Sequence, residues 1–196
     1  MVLLVVVAVI AIIIVGGLVW GVGVSNELVK SEQLVNEKWA QVQNVYQRRA
    51  DLIPNLVETV KGFAAQERTV LEEVTKARAS VAGIKATPEL VNDPQAFRKF
   101  QQAQQELGGA LSRLLVTVER YPDLKSNQNF LNLQSQLEGT ENRITVERMR
   151  FNEAVRDYNT RIKLFPASLV ASFRGFKDKA FFEATPGSAE PPKVKF

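Results

Sequence analysis

The residues best suited to chemistry are charged and amide side chains on or beside apolar helical patterns. Arg49 stands where the repeat calls for an apolar residue, and a buried charge is costly unless it is paired. A carboxylate such as Glu119 or Glu141 is therefore its expected partner. The other members of this candidate polar network are Asp51, Asn152 and Asn159.

Two interpretations of this network remain open. It is either a ligand or catalytic site, or an ion-pair and amide network that fixes the register of packed helices, and we favour the second. Asn152 and Asn159 are seven residues apart and therefore share one helical face. The chain has no histidine and no cysteine, so the commonest general base and metal ligands are missing. We predict no catalytic residue, no metal, no cofactor and no enzymatic activity.

The N-terminal part of the chain predicts a membrane anchor. Val2–Val24 contains only apolar residues and glycine. At about 1.5 Å per residue, a helix there is roughly 34 Å long, enough for a hydrocarbon core of about 30 Å. A cleaved signal peptide is the alternative, but it requires a basic start and a shorter apolar stretch. We predict an uncleaved transmembrane anchor over residues 1–25.

The anchor carries a spacing suited to helix–helix contact. Gly17 and Gly21 form a GxxxG pattern, in which two glycines on one face let two helix backbones approach closely. Lys30 and Lys38 follow the span, whereas only the α-amino group precedes it. By the positive-inside rule we predict an external N-terminus and a cytoplasmic bundle.

The residues after the anchor predict a long first helix. Apolar residues recur in steps of three and four from Val35 to Val81, except at Arg49 and Glu67, which is a heptad pattern of about six repeats. We expect a helix over 26–82 that continues the membrane helix as a stalk. Pro54 is expected to kink it, because proline removes a backbone hydrogen bond and clashes with the preceding turn.

Further helices complete an all-α fold. Asp93-Pro94 reads as an N-cap followed by proline at the first helical position, which opens a second helix. Residues 121–127 form a turn by composition, a third helix covers 128–164, and Pro166 starts a short fourth one. The predicted architecture is an N-terminal transmembrane helix continuing into a long kinked helix of an antiparallel, coiled-coil-like bundle with three long helices and one short one.

The expected packing leaves one apolar stripe without a partner. We assign the bundle to residues 26–182 and a flexible, proline-containing tail to 183–196. An antiparallel second helix would cover only the membrane-distal half of the first and place the 121–127 turn near Pro54. An uncovered membrane-proximal stripe commonly packs against other protein, so we predict an oligomer or partner interface there. It consists of Val35, Trp39, Val42 and Tyr46.

The charge pattern argues against nucleic acid as a partner. The formal net charge is +4, and every charged side chain follows Asn26. Lys and Arg are interleaved with Asp and Glu and form no dense basic block, so we predict no nucleic-acid binding. Membrane lipid, further copies of the chain and another membrane protein are the expected partners.

Several segments resemble the LemA family. The most specific are RRADLIPNL over Arg48–Leu56 and, later in the chain, ERYPDLK over Glu119–Lys125. The resemblance implies a bacterial inner-membrane protein with an N-terminal transmembrane helix and a cytoplasmic-type antiparallel helical bundle. The family includes a magnetosome-membrane relative, and the resemblance brings no catalytic activity with it. Shorter matches are Asn36–Trp39, Glu141-Asn142, Phe151-Asn152, Tyr158-Asn159 and Phe165-Pro166.

These observations together predict a non-enzymatic, membrane-anchored helical scaffold. It would self-associate through the Gly17 and Gly21 face and the proximal stripe, and would organise or shape the membrane. The alternative is a membrane-tethered adaptor for a membrane protease or an envelope-stress partner. A large assembly favours the scaffold, and a monomer or dimer favours the adaptor.

Overall fold

The computed structural model describes residues 1–183 and confirms the all-α fold class, with no strand in that range. The predicted tail, 183–196, lies outside the described residues apart from Glu183. A short 3-10 helix, Pro88–Asn92, connects the second and third α-helices. The α-helices are α1 (Val2–Phe63), α2 (Arg68–Ala82), α3 (Pro94–Val118), α4 (Pro122–Lys125), α5 (Gln128–Lys163) and α6 (Ala167–Arg174).

Helix α1 joins the apolar N-terminal segment to the bundle without a break. It has 62 residues and is therefore about 93 Å long. Its N-terminal part is long and apolar enough to cross a membrane. The helix continues through Pro54, whose missing N–H leaves the carbonyl of Ala50 without a helical partner. Arg78 of α2 supplies one, because its Nε donates to that carbonyl at 3.0 Å.

The chain reverses direction at 64–67, so the prediction of one helix over 26–82 is wrong. Helix α1 ends at Phe63, and α2 returns antiparallel along it until Arg78 lies beside Ala50. The sequence signals for this reversal are weak: Gly62 is a poor helix former, and Glu67 interrupts the apolar repeat. Glu67 accepts a hydrogen bond from the hydroxyl of Tyr121 at 2.6 Å, which holds the reversal against the end of α3.

This reversal changes the direction of the helix that follows. Helix α3 runs parallel to α1, since Phe97 lies beside Trp39 and Tyr121 beside Glu67. The expected antiparallel second helix, with its 121–127 turn near Pro54, is therefore wrong. Helix α2 is the antiparallel return, and the 121–127 turn, which contains α4, lies at the distal end of the bundle.

Side-chain caps fix where α3 and α5 begin. Asp93 Oδ1 accepts from the backbone N–H groups of Gln95 and Ala96 at 2.8 and 3.1 Å, which confirms the predicted start of α3. Asn127 Oδ1 accepts from those of Asn129 and Phe130 at 3.0 and 3.1 Å. Both caps satisfy N–H groups that the first helical turn leaves free.

The core divides into two clusters along the bundle. The distal core, far from the apolar N-terminal segment, is mostly aliphatic, and the proximal core, next to it, is rich in aromatic rings. The distal core includes Ile53, Leu56, Val60, Leu107, Leu111, Leu114, Val118, Leu124, Phe130 and Leu137. The proximal core includes Leu28, Val35, Trp39, Val42, Tyr46, Phe97, Phe100, Phe151, Val155, Tyr158 and Phe182.

Candidate functional site: the proximal end of the bundle

Trp39 is the centre of the proximal core. Its ring centroid lies 5.4 to 6.3 Å from those of four phenylalanines, distances typical of favourable aromatic pairs. Its Nε1 donates to the carbonyl of Thr87 at 3.1 Å, which satisfies the one polar atom of the indole. The four rings are those of Phe97, Phe100, Phe151 and Phe182.

The predicted interface stripe belongs to this core, so the expectation that it lacks an intramolecular partner is wrong. Val35, Trp39 and Val42 are fully buried and Tyr46 nearly so. Helix α5 runs antiparallel along the whole proximal part of α1, from the Glu27–Arg161 ion pair to the Arg49–Glu141 pair. Since α3 also starts at the level of Trp39, the stripe is covered on both sides and offers no surface to a partner.

Arg49 forms the centre of the predicted polar network. It is 3% exposed, and its Nη1 donates to the two carboxylate oxygens of Glu141 at 2.6 and 3.1 Å. Its Nη2 donates to the side-chain and main-chain oxygens of Gln104, the latter at 3.3 Å. The guanidinium also lies 5.2 Å from the ring centroid of Tyr46. The network connects α1, α3 and α5 at one level along the bundle, as expected of side chains that fix helix register.

Two predicted members of the network lie elsewhere. Glu119 forms an ion pair with Lys125 on the surface, and Asp51 accepts from Gln47 on the exposed face of α1 at 2.7 Å. Residues 1–183 contain no group of three or more acidic side chains placed to hold a metal ion. The buried polar groups in this part of the chain are thus mostly engaged with protein.

Asn152 and Asn159 bind a non-helical part of the chain, residues 177–183, which we call the C-terminal segment. Asn152 donates to the carbonyl of Phe182 and accepts from its N–H, both at 2.9 Å. Asn159 makes the same pair of bonds with Lys179, again at 2.9 Å each. Their shared helical face, inferred from the sequence, therefore serves to hold this segment against α5.

Lys179 belongs to the C-terminal group of phenylalanines and basic residues that could lie on a membrane surface by sequence, but it is buried in the bundle. Its Nζ donates to Glu32 at 2.6 Å and to Asn92 at 2.7 Å, and it lies 5.6 Å from the ring centroid of Tyr158. Burial, with the charges of Glu32 and Asp178 adding to it, raises the pKa of Tyr158 to about 12. The segment is thus held by a charged contact as well as by backbone pairs.

The apolar N-terminal segment is uncovered over most of its length. Its large side chains from Val2 to Val22 are exposed, so it requires lipid or another protein around it. A Cβ placed on Gly17 or Gly21 would meet nothing within 4 Å. Neither glycine is therefore in van der Waals contact with another helix of residues 1–183.

Helix α6 lies beside the end of this segment. A groove of about 420 Å³ is lined on one side by Gly17, Gly21 and Val22 and on the other by Leu169 and Phe173. Both α6 side chains are exposed. The sequence identified the apolar residues of α6, but only the fold places them next to the anchor.

Comparison with known proteins identifies the family. Residues 38–196 match the LemA family. The chain is 28% identical over 182 residues to the magnetosome protein MamQ of Magnetospirillum gryphiswaldense, covering 85% of this chain and 67% of that protein. It is 22% identical over 164 residues to protein LemA of Metamycoplasma hominis, covering 84% and 71%. Because the family match spans most of the bundle, this chain belongs to the LemA family.

Proposed function

We propose that this protein is a non-enzymatic, membrane-anchored scaffold that self-associates through the glycine face of its anchor and organises or shapes the membrane. The observation that carries the proposal is the spacing of Gly17 and Gly21 on one face of a helix segment that the bundle leaves uncovered. Two glycines one turn apart let a second helix approach to backbone contact, where van der Waals packing is strongest.

The continuity of α1 gives such a contact a structural consequence. The helix that carries the glycines also carries Trp39 and Arg49 of the bundle, without an intervening loop. Pairing of two anchors at a given crossing angle would therefore set the relative orientation of the two bundles. A continuous helical connection of this kind suits a scaffold better than a flexible tether would.

The interior of the bundle supports a non-enzymatic role. Arg49 is paired with Glu141 and Gln104, and the side-chain amides of Asn152 and Asn159 are each bonded to the backbone of the C-terminal segment. A catalytic group needs access to a reacting molecule, whereas these side chains form hydrogen bonds within the bundle. The relative named magnetosome protein MamQ accords with a role at a membrane.

The proposed location is the bacterial inner membrane, with the N-terminus outside and the bundle in the cytoplasm. Lys30 and Lys38 closely follow the apolar run, and positively charged residues favour the cytoplasmic side. Membrane lipid and other copies of the chain are the proposed partners. Attachment of a reporter to the N-terminus, followed by its protease accessibility in intact cells, tests this orientation.

The test of self-association compares two double variants of the full-length chain. Gly17→Leu with Gly21→Leu fills the proposed contact face, whereas Gly16→Leu with Gly23→Leu makes the same change in composition on other faces of the anchor. We expect the first pair to reduce the mass of the gently extracted protein to that of a single chain and the second to leave the assembly intact. Equal masses for both variants and the wild type would refute the proposed contact, and a monomeric wild type would favour the adaptor.

A further inference from the structure

Helix α6 and the residues that connect it to α5 carry large apolar side chains that the bundle leaves uncovered. Phe165 is 79% exposed, Leu169 62% and Phe173 92%, and Leu164 is exposed as well. We call these four side chains the basal surface. Exposed apolar residues this large and this close along the chain mark a contact with another phase or another protein.

The neighbours of the basal surface on α1 show where this surface lies along the membrane anchor. Leu169 and Phe173 face Leu18 and Val22 across one groove, and Ala167 lies in a second groove with Trp20. These α1 residues belong to the last two turns of the apolar run, which ends at Val24. If the run crosses a bilayer, its end lies at the boundary between acyl chains and headgroups, where tryptophan is also preferred.

Contacts on both sides fix the orientation of α6. Ala171 is buried on the bundle side, and the helix ends at Gly175, whose φ of 75° is the left-handed conformation that favours glycine. Beyond it, the backbone of Lys179 is held by Asn159. With α6 attached through Ala171 and the chain beyond it held, Leu169 and Phe173 remain directed away from the bundle.

The charges near α6 suit phospholipid headgroups. Arg174 lines the same groove as Phe173, it is exposed, and none of the ion pairs within residues 1–183 includes it. A cation beside exposed phenylalanine and leucine is the composition of a helix that lies in the membrane interface. The surface also lies at the level where the apolar run ends, which is where a helix in the membrane interface is expected.

We infer that α6 lies in the interface of the bilayer that the anchor crosses, with Leu169 and Phe173 among the acyl chains and Arg174 at the phosphate level. The bundle is thereby seated on the lipid surface rather than extended above it on a free stalk. This inference requires the anchor to span the bilayer, but it does not require self-association. It therefore goes beyond the proposed scaffold and can fail separately from it.

Because the chain contains no cysteine, single nitroxide labels can test this placement. The full-length protein with Phe173→Cys is labelled at that position and reconstituted into vesicles of phosphatidylethanolamine and phosphatidylglycerol. Leu18→Cys in the anchor serves as the lipid control, and Val116→Cys on α3, 71% exposed in the distal half, as the aqueous control. The accessibility of each label to oxygen and to a water-soluble nickel chelate is measured.

We expect the label at position 173 to be protected from the nickel chelate and accessible to oxygen. The ratio of its oxygen accessibility to its nickel accessibility should be several-fold above that at position 116 and close to that at position 18. A ratio equal to that at position 116 would overturn the inference. Protection of the label at position 173 from oxygen as well as from the nickel chelate would also overturn it, because protein rather than lipid would then cover the surface. The mass of the assembly, measured on the same samples, reports separately on the scaffold.

Discussion

The distal and proximal halves of the bundle are built from different side chains and closed in different ways. The distal core is mostly aliphatic and is assembled by consecutive helices joined by the tight 64–67 and 121–127 connections. The proximal core surrounds Trp39 with rings from α3 and α5 and with Phe182, which lies in a non-helical segment. The Arg49–Glu141 pair lies between the two halves.

This difference indicates a division of roles. The distal half is an ordinary helical bundle whose core needs only apolar periodicity. The proximal half joins residues that are distant in sequence, such as Trp39 and Phe182, and it supports α6 beside the end of the anchor. The part of the fold nearest the anchor is therefore also the part that depends most on long-range contacts.

The largest expected effect comes from truncating the proximal core. Trp39→Ala removes the central ring of the aromatic cluster and should lower the free energy of unfolding by about 3–5 kcal/mol, as buried aromatic truncations do. The measurement is urea unfolding of the full-length protein in detergent, followed by circular dichroism. A loss below about 1 kcal/mol, of the size of surface changes, would contradict the burial of Trp39.

A matched distal change sharpens this prediction. Leu114→Ala should cost about 2–5 kcal/mol without releasing the C-terminal segment in the native state, because Leu114 packs in the other core. Amide hydrogen exchange of residues 177–183 should therefore increase in Trp39→Ala and stay near the wild-type rate in Leu114→Ala. Equal increases in both variants would mean that the two halves do not behave separately.

The next effect concerns the boundary between the halves. Glu141→Ala leaves the buried guanidinium of Arg49 with Gln104 and the ring of Tyr46 but no carboxylate. We expect the free energy of unfolding to fall by about 1–3 kcal/mol, since the removed carboxylate is partly exposed. Glu119→Ala breaks only the exposed pair with Lys125 and should cost less than about 1 kcal/mol. Thermal unfolding of both variants, measured side by side, checks that Glu141→Ala is the more destabilising change. A larger loss in Glu119→Ala would contradict the buried role of the Arg49–Glu141 pair.

A smaller effect is expected where the C-terminal segment is held. Asn159→Ala removes both bonds to the backbone of Lys179 and should destabilise the fold by about 1–2 kcal/mol. It should also make the segment the first part of the chain to be cut by a protease. Asn132→Ala, at an exposed α5 position whose side chain bonds only Gln128, is the control, and similar cutting of both variants would contradict the assigned role.

The smallest effect is expected at Tyr158, whose buried hydroxyl has no hydrogen-bond partner within residues 1–183. Tyr158→Phe should change stability at neutral pH by less than about 1 kcal/mol. Its pKa of about 12 exceeds the usual value near 10, so the unfolded chain loses this proton first and stability falls as pH rises from about 10 to 12. In urea unfolding, the free energy of unfolding of the variant should therefore fall less steeply between about pH 10 and 12 than that of the wild type. An equally steep fall would contradict the raised pKa of Tyr158.

The sequence predicted those features that local patterns encode. The Asp93 cap with Pro94, the start of α5 near 128 and the short helix after Pro166 depend on residues within one helical turn, and the structure contains all three. The pairing of Arg49 with a carboxylate followed from the cost of burying a charge, although sequence alone left Glu119 and Glu141 as alternatives.

The features that the sequence missed depend on distant residues. The reversal at 64–67 is stabilised by Tyr121, and without it the direction of α3 was assigned wrongly and the Trp39 stripe was left uncovered. The C-terminal segment has no regular hydrogen-bond pattern of its own, because Asn152 and Asn159 supply its partners. Periodicity carries no information about a segment that is held by side chains of another helix.

The most direct test of the account is the mass of the full-length protein compared with that of residues 26–196. Both are measured by native mass spectrometry or light scattering, the full chain after gentle extraction, with circular dichroism to confirm that the shorter chain is helical. Since the Trp39 stripe is buried and the glycine face is open, the account predicts a discrete assembly for the full chain and a monomer without the anchor. A monomer in both, or an equal assembly in both, would contradict self-association through the anchor.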